Sequence, residues 1–222
     1  MGVFESIFDI AYLLIVISLG IKLLNNKKSG GRLFGVMAIL LGVGDAFHLV
    51  PRIISHFTAN GFEKNVVALS WGQFVTSITM TIFYVLFYHY YRNLSGDTDD
   101  RKKFAIYILA IARIILVLLP QNNWGTADGN YLFGIYRNIP FAILGLLLII
   151  WTYKQKNTTG LKHMSLLIFL SFAFYIPVVL FSDFIPAIGV LMLPKTLAYL
   201  AIVWLGYSHF NSGKKTQYAT VR

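Results

Sequence analysis

Asp45, His48 and Arg52 follow one another at intervals of three and four residues in "GDAFHLVPR". On a helix that spacing puts an acid, an imidazole and a guanidinium on one face. Such a stripe can hold a buried ion pair, pass a proton or present charge to a ligand. Five further ionisable residues interrupt or end apolar runs: Asp9, Arg113, Arg137, Asp183 and Lys195. If these runs cross a bilayer, a central charge costs at least about 2.5–3.5 kcal/mol, so the side chains are expected to face inward and find partners. Arg52, Arg113, Arg137 and Lys195 outnumber Asp9, Asp45 and Asp183 by one. A chamber built from them carries excess positive charge and favours an anion. The plainer reading of Asp45 with Arg52 is an ion pair that sets helix register.

Polar residues nearby fit a chamber wall. Gln73, Ser77, Thr81, Tyr84 and Tyr88 recur at three- and four-residue spacing along one segment, with Trp71 at its end. Tyr136 and Asn138 flank Arg137, Tyr199 follows Lys195 by one turn, and Pro140, Pro177 and Pro194 interrupt helices at this level. A proline frees a carbonyl and kinks its helix, which suits a cavity wall. The expected ligand-binding set is therefore Asp45, His48, Arg52, Trp71, Gln73, Arg113, Arg137, Asp183, Lys195 and Tyr199. Hydroxyl side chains also serve interhelical packing, and terminal aromatics serve as interface anchors. No role is assigned to His56, His89, His163 or His209.

The elements that must position these residues are helices. The chain has 222 residues, 57% hydrophobic and only 13% charged, about half the charge of soluble domains. Seven stretches approach the roughly 20 residues a spanning helix needs: 4–24, 33–54, 66–91, 104–120, 131–153, 163–183 and 187–209. The expected architecture is an all-α, seven-transmembrane-helix bundle forming one domain over 1–210, with a short basic tail over 211–222. Polar punctuators such as "NLSGDTDDRKK" and "QNNWGTADGN" separate the spans, and "FIPAIG" forms a tight turn between the last two.

Orientation follows from the basic residues. Lys22, Lys27, Lys28 and Arg32 fall around the first loop, Arg92, Arg101, Lys102 and Lys103 around the third, Lys154, Lys156 and Lys162 in the fifth, and Lys214, Lys215 and Arg222 in the tail. Lys64 alone occupies the opposite loops, with Arg52 at a helix edge. The positive-inside rule then puts the amino terminus outside and the carboxyl terminus in the cytoplasm of a multi-pass cell-membrane protein. The intramembrane charges lie in its middle or outer half. Basic residues follow the first span, so it reads as uncleaved.

Several chemistries lack their residues. With no cysteine, disulfides, thiolate metal ligands and cysteine nucleophiles are excluded. No P-loop, dinucleotide fingerprint or nucleophile elbow occurs, and no cofactor or metal is expected. The net charge of +10 sits in loops between spans, which argues against nucleic acid and for membrane lipids as the surface contacted. "GVGDAFH" is similar to the glycine-serine-histidine stretch of alkaline-ceramidase-like membrane hydrolases, although "LPKTLAYLAIVW" has no counterpart of that family's later histidine pair. "LLGVGDAFHLVP" and "LFSDF" resemble the two acidic motifs of the lysoplasmalogenase-like membrane family, over fewer than about 20 residues in all. Those resemblances imply a lipid hydrolase using Asp45, His48 and Asp183. Read from the charges, the expectation is a binder of a small anionic or amphiphilic ligand in an outward-facing pocket, for sensing or transport. A sensor of this size needs a protein partner to signal.

Overall fold

The computed structural model describes residues 2–26 and 30–219, with side chains described through 212. Lys27, Lys28, Arg222 and the side chains of Lys214 and Lys215, on which the charge count partly rests, lie outside this description. The described residues form helices and no strand: α1 (Gly2–Leu24), α2 (Gly31–His56), a single-turn α3 (Gly61–Lys64), α4 (Val66–Ser95), α5 (Asp100–Leu118), α6 (Tyr131–Lys154), α7 (Met164–Phe181) and α8 (Met192–Ala219). Short 3-10 turns, Pro120–Asn122 and Pro186–Leu191, precede α6 and α8. Six helices are long and apolar enough to cross a membrane, those of α1, α2, α4, α6, α7 and the stretch Pro186–Ser212. α5 has 19 residues, but Arg101, Lys102, Lys103 and Arg113 break its apolar run.

The long helices form a closed ring. Each packs on the next, and α8 returns to α1. Close approach depends on missing side chains. A Cβ at Gly35 would meet the α1 backbone at Leu24, and one at Gly72 would run into the carbonyl of Phe47. That carbonyl is the one Pro51 leaves without its helical amide partner. Small residues at helix crossings give packing contact where lipid supplies no hydrophobic drive.

One end of the ring is filled and the other is hollow. Phe83, Tyr84, Phe87, Tyr88, Tyr90 and Tyr91 of α4, with Phe34, Met37 and Leu41 of α2, are fully buried together. Toward the start of α4 the inward residues shrink to Ser70, Gln73, Thr76 and Ser77, and a cavity opens. Large apolar side chains cover the outside, including Phe104, Ile111, Ile115, Leu146, Phe169 and Trp204. An apolar perimeter of this extent is what lipid requires and water does not tolerate.

Two expectations change here. Lys195 sits in the first turn of α8, not at mid-helix, because Pro186–Leu191 is wound as a 3-10 turn and α8 starts only at Met192. Pro194 therefore occupies a first turn, where its missing N–H breaks nothing, whereas Pro140 and Pro177 lie inside α6 and α7. The backbone of 211–219 continues α8.

Candidate functional site

The cavity has a volume of about 820 Å³, within the size range of small-molecule sites. Helices α4 to α8 wall it, with His48 of α2 and Phe62 of α3, and the 119–130 connection lies across its mouth. His48, Gln73, Arg113, Arg137, Asp183, Lys195 and Tyr199 line it together. Asp45, Arg52 and Trp71 are not among its lining residues.

Its cations share one design. Arg113 is 2% exposed, its guanidinium carbon lies 3.3 Å from the centre of the Phe141 ring, and its Nε and Nη1 are buried without a hydrogen-bond partner. Arg137 lies over Trp124 at 4.5 Å and donates to Asn122 Oδ1 at 2.7 Å. Asn122 is itself fixed, since its Nδ2 donates to the carbonyls of Leu116, Val117 and Leu119 at the end of α5. Lys195 Nζ is 4.6 Å from the Tyr175 ring and 5.7 Å from the Tyr199 ring. An aromatic face stabilises a desolvated cation such as Arg113 by about 2 kcal/mol, yet it does not neutralise it, and Arg137 and Lys195 are half-buried. Among the described residues, none of the three makes an ion pair within 4.0 Å. The acids lining the cavity, Asp128 and Asp183, are both exposed. The deep wall is thus cationic and unpaired while negative charge stays at the rim.

The floor is a hydroxyl network. Tyr84 bonds both Tyr199, at 3.0 Å, and Ser171, at 3.2 Å, and Tyr175 donates to Asn138 Oδ1 at 2.9 Å. Thr81 returns its hydroxyl to the Ser77 carbonyl, a packing role. Tyr136 is exposed beside Phe133 and takes no part.

The Asp45-His48-Arg52 stripe divides between two environments. Residues seven apart on a helix differ by only about 20° in direction, whereas His48 is turned from Asp45 by about 60°. Asp45 and Arg52 accordingly face α1: Tyr12 donates to Asp45 Oδ2 at 2.7 Å, and Arg52 pairs with Glu5. His56, at the end of α2, has Nε2 3.4 Å from the other oxygen of Glu5. Asp9 is buried beside them with Oδ2 unpartnered. His48 faces the cavity instead. The cation whose charge acts on Asp45 is Lys195, which links this acidic seam to the chamber. Trp71 is 47% exposed and packs against Phe74 and Gly125 at the surface.

Glu5, Tyr12, Asn122, Trp124 and Tyr175 contact the candidate residues, and the spacing of charges does not single them out. Asn122 and Trp124 belong to a stretch that reads as a polar loop, and only the fold lays it over Arg137. Among the described residues, no three histidine, aspartate or glutamate side chains gather as a metal site. Asp45 and Asp183, the carboxylates that a lysoplasmalogenase-like hydrolase would use, do not share a wall, since only Asp183 lines the cavity.

Comparison with protein-family models, with curated proteins and with solved structures gives no match. The fold and its apolar surface define the class: an all-helical, integral-membrane type of chain with several membrane-length helices.

Proposed function

We propose that this is a multi-pass cell-membrane protein that binds a small anionic or amphiphilic ligand in an outward-facing chamber. The binding serves sensing or transport. The observation that carries the reading is Arg113, a guanidinium buried at the wall of a large cavity with two nitrogens unpartnered. Cations held out of water without counter-ions are costly, and an incoming anion supplies the missing partner. Arg137 and Lys195 add to the same field.

In this reading all seven long helices span, α5 included, with Arg101, Lys102 and Lys103 at its membrane edge and Arg113 turned inward. The cavity mouth lies at the 119–130 connection, which carries no basic residue, and Arg92, Arg101, Lys154 and Lys156 mark the opposite end. The positive-inside rule makes that opposite end cytoplasmic and the mouth external.

The test is ligand-dependent stabilisation of the purified protein in phosphatidylcholine nanodiscs. Inorganic phosphate or acetate should raise the melting temperature of the natural chain and do so less for Arg113→Gln. A protein indifferent to both anions refutes the reading. Counterflow of a labelled anion in liposomes then separates transport from sensing.

A further inference from the structure

A second cavity adjoins the chamber. It measures about 150 Å³ and lies between α6 and α7, a size at which an apolar cavity stays dry and accepts a hydrocarbon. Its walls are Ile135, Ile139, Ala142, Phe172, Ile176 and Leu180, together with Asn138, Phe141, Tyr175 and Val179, which it shares with the chamber. Ile139 and Ile176, 49% and 40% exposed, bring it to the outer surface of the bundle. The slot therefore lies between the chamber wall and the perimeter that meets lipid, with Asn138, Phe141 and Tyr175 as the partition it shares with the cationic chamber.

Local sequence explains why the helices part there. At Gly145 the absent side chain lets the Phe172 ring lie against the α6 backbone, so α6 and α7 are in close contact at that point. Pro140 and Pro177 lie toward the chamber from this contact, each inside its helix, and each removes a helical hydrogen bond and bends its helix. Two hydrogen bonds join α6 to α7 where chamber and slot meet: Tyr175 donates to Asn138 Oδ1, and Tyr131 donates to the Leu180 carbonyl at 3.0 Å. On one side of that junction stand Lys195 and Arg113, and on the other only hydrocarbon side chains.

The geometry points to a single-chain anionic amphiphile as the ligand, its oxyanion headgroup held by Arg113, Arg137 and Lys195 and its alkyl chain lying in the α6–α7 slot. This rests on the anion-binding reading of the chamber and extends it. A free inorganic anion has no use for an apolar side branch, and it would occupy a small part of 820 Å³. An amphiphile fills both compartments and enters sideways from the membrane. A carboxylate or a phosphomonoester headgroup satisfies the same three cations.

The protein has no cysteine, so Ala142→Cys places one thiol in the slot without competing sites. The variant is purified in phosphatidylcholine nanodiscs, and after folding half is given a hexyl chain with hexyl methanethiosulfonate, which converts the thiol to a hexyl disulfide and releases methanesulfinate. Equilibrium dialysis then measures binding of inorganic phosphate, acetate, decanoate and decyl phosphate to both halves. Modification should weaken decanoate or decyl phosphate at least tenfold and leave phosphate and acetate within about twofold, since one or two excluded methylene pairs are worth about tenfold each. The preferred headgroup then distinguishes a fatty acid from a lysophospholipid-like ligand. Chain-bearing probes that bind equally before and after modification overturn the slot assignment while leaving the anion chamber standing. If no probe binds even the unmodified protein, the anion reading falls with it. Because both halves come from one folded preparation, misfolding cannot imitate the expected result.

Discussion

Arg113→Met separates a binding cation from a structural one. The Arg113 guanidinium leaves two N–H-bearing nitrogens buried without partners, each costing about 1–3 kcal/mol. Stacking on Phe141 returns about 2 kcal/mol. The difference, about 2 kcal/mol at the middle of these ranges, is a standing destabilisation. Methionine keeps most of the apolar stem and makes a favourable sulfur contact with the ring. The variant should therefore be about 2 kcal/mol more stable than the natural chain when no anion is present. With an anion the order should change, because the variant loses a charge-assisted contact of about 1.5–3 kcal/mol and gains little from ligand. Reversible denaturant unfolding in micelles, with and without phosphate, measures both differences. A variant less stable than the natural chain by more than about 1 kcal/mol without ligand, and equally responsive to phosphate, would show that Arg113 is packing glue.

Asp45→Asn should lower stability by about 1.5–3 kcal/mol, since the Tyr12 hydroxyl loses a charged acceptor and Lys195 loses the longer-range field of a carboxylate. Adding Lys195→Met should recover part of that loss while anion binding stays impaired, and a double variant that binds normally would reduce the two charges to helix packing. Orientation is checked with single cysteines in the cysteine-free chain: Asn123→Cys should react with an impermeant thiol reagent on intact cells and Thr158→Cys should not, the reverse pattern inverting the topology. In the α4–α5 loop, burial alone would raise the Asp97 carboxyl. The Lys102 ammonium, the Asp99 N–H and the Tyr91 hydroxyl outweigh that and hold it at about 2. A depressed carboxyl contributes stability above its unfolded value near 3.8 and loses it as pH falls toward 2. Melting temperature should therefore drop between about pH 4 and pH 2, and Asp97→Asn should flatten that segment of the profile.

Length, apolar runs and punctuation are local properties, and they sufficed for the helices. A run such as 131–153 can satisfy its own backbone only by coiling, and it does so as Tyr131–Lys154. The cost of intramembrane charge likewise marked Arg113, Arg137 and Lys195, which meet at one cavity as their inward bias implies. What these signals do not contain is which neighbour each residue faces. Asp45 and His48 differ by about 60° around one helix, and that rotation alone sends one to Tyr12 on α1 and the other into the chamber. Nor does the local pattern show that "QNNW" would lock α5 and Arg137 together through Asn122. The apolar slot depends on Gly145 and Pro140 of α6 and Pro177 of α7, which lie on two helices more than 30 residues apart in the chain. Helix formation is decided within a span, whereas rotation, register and the gaps between helices are decided by side chains far apart in the chain, so only the closed ring could settle them.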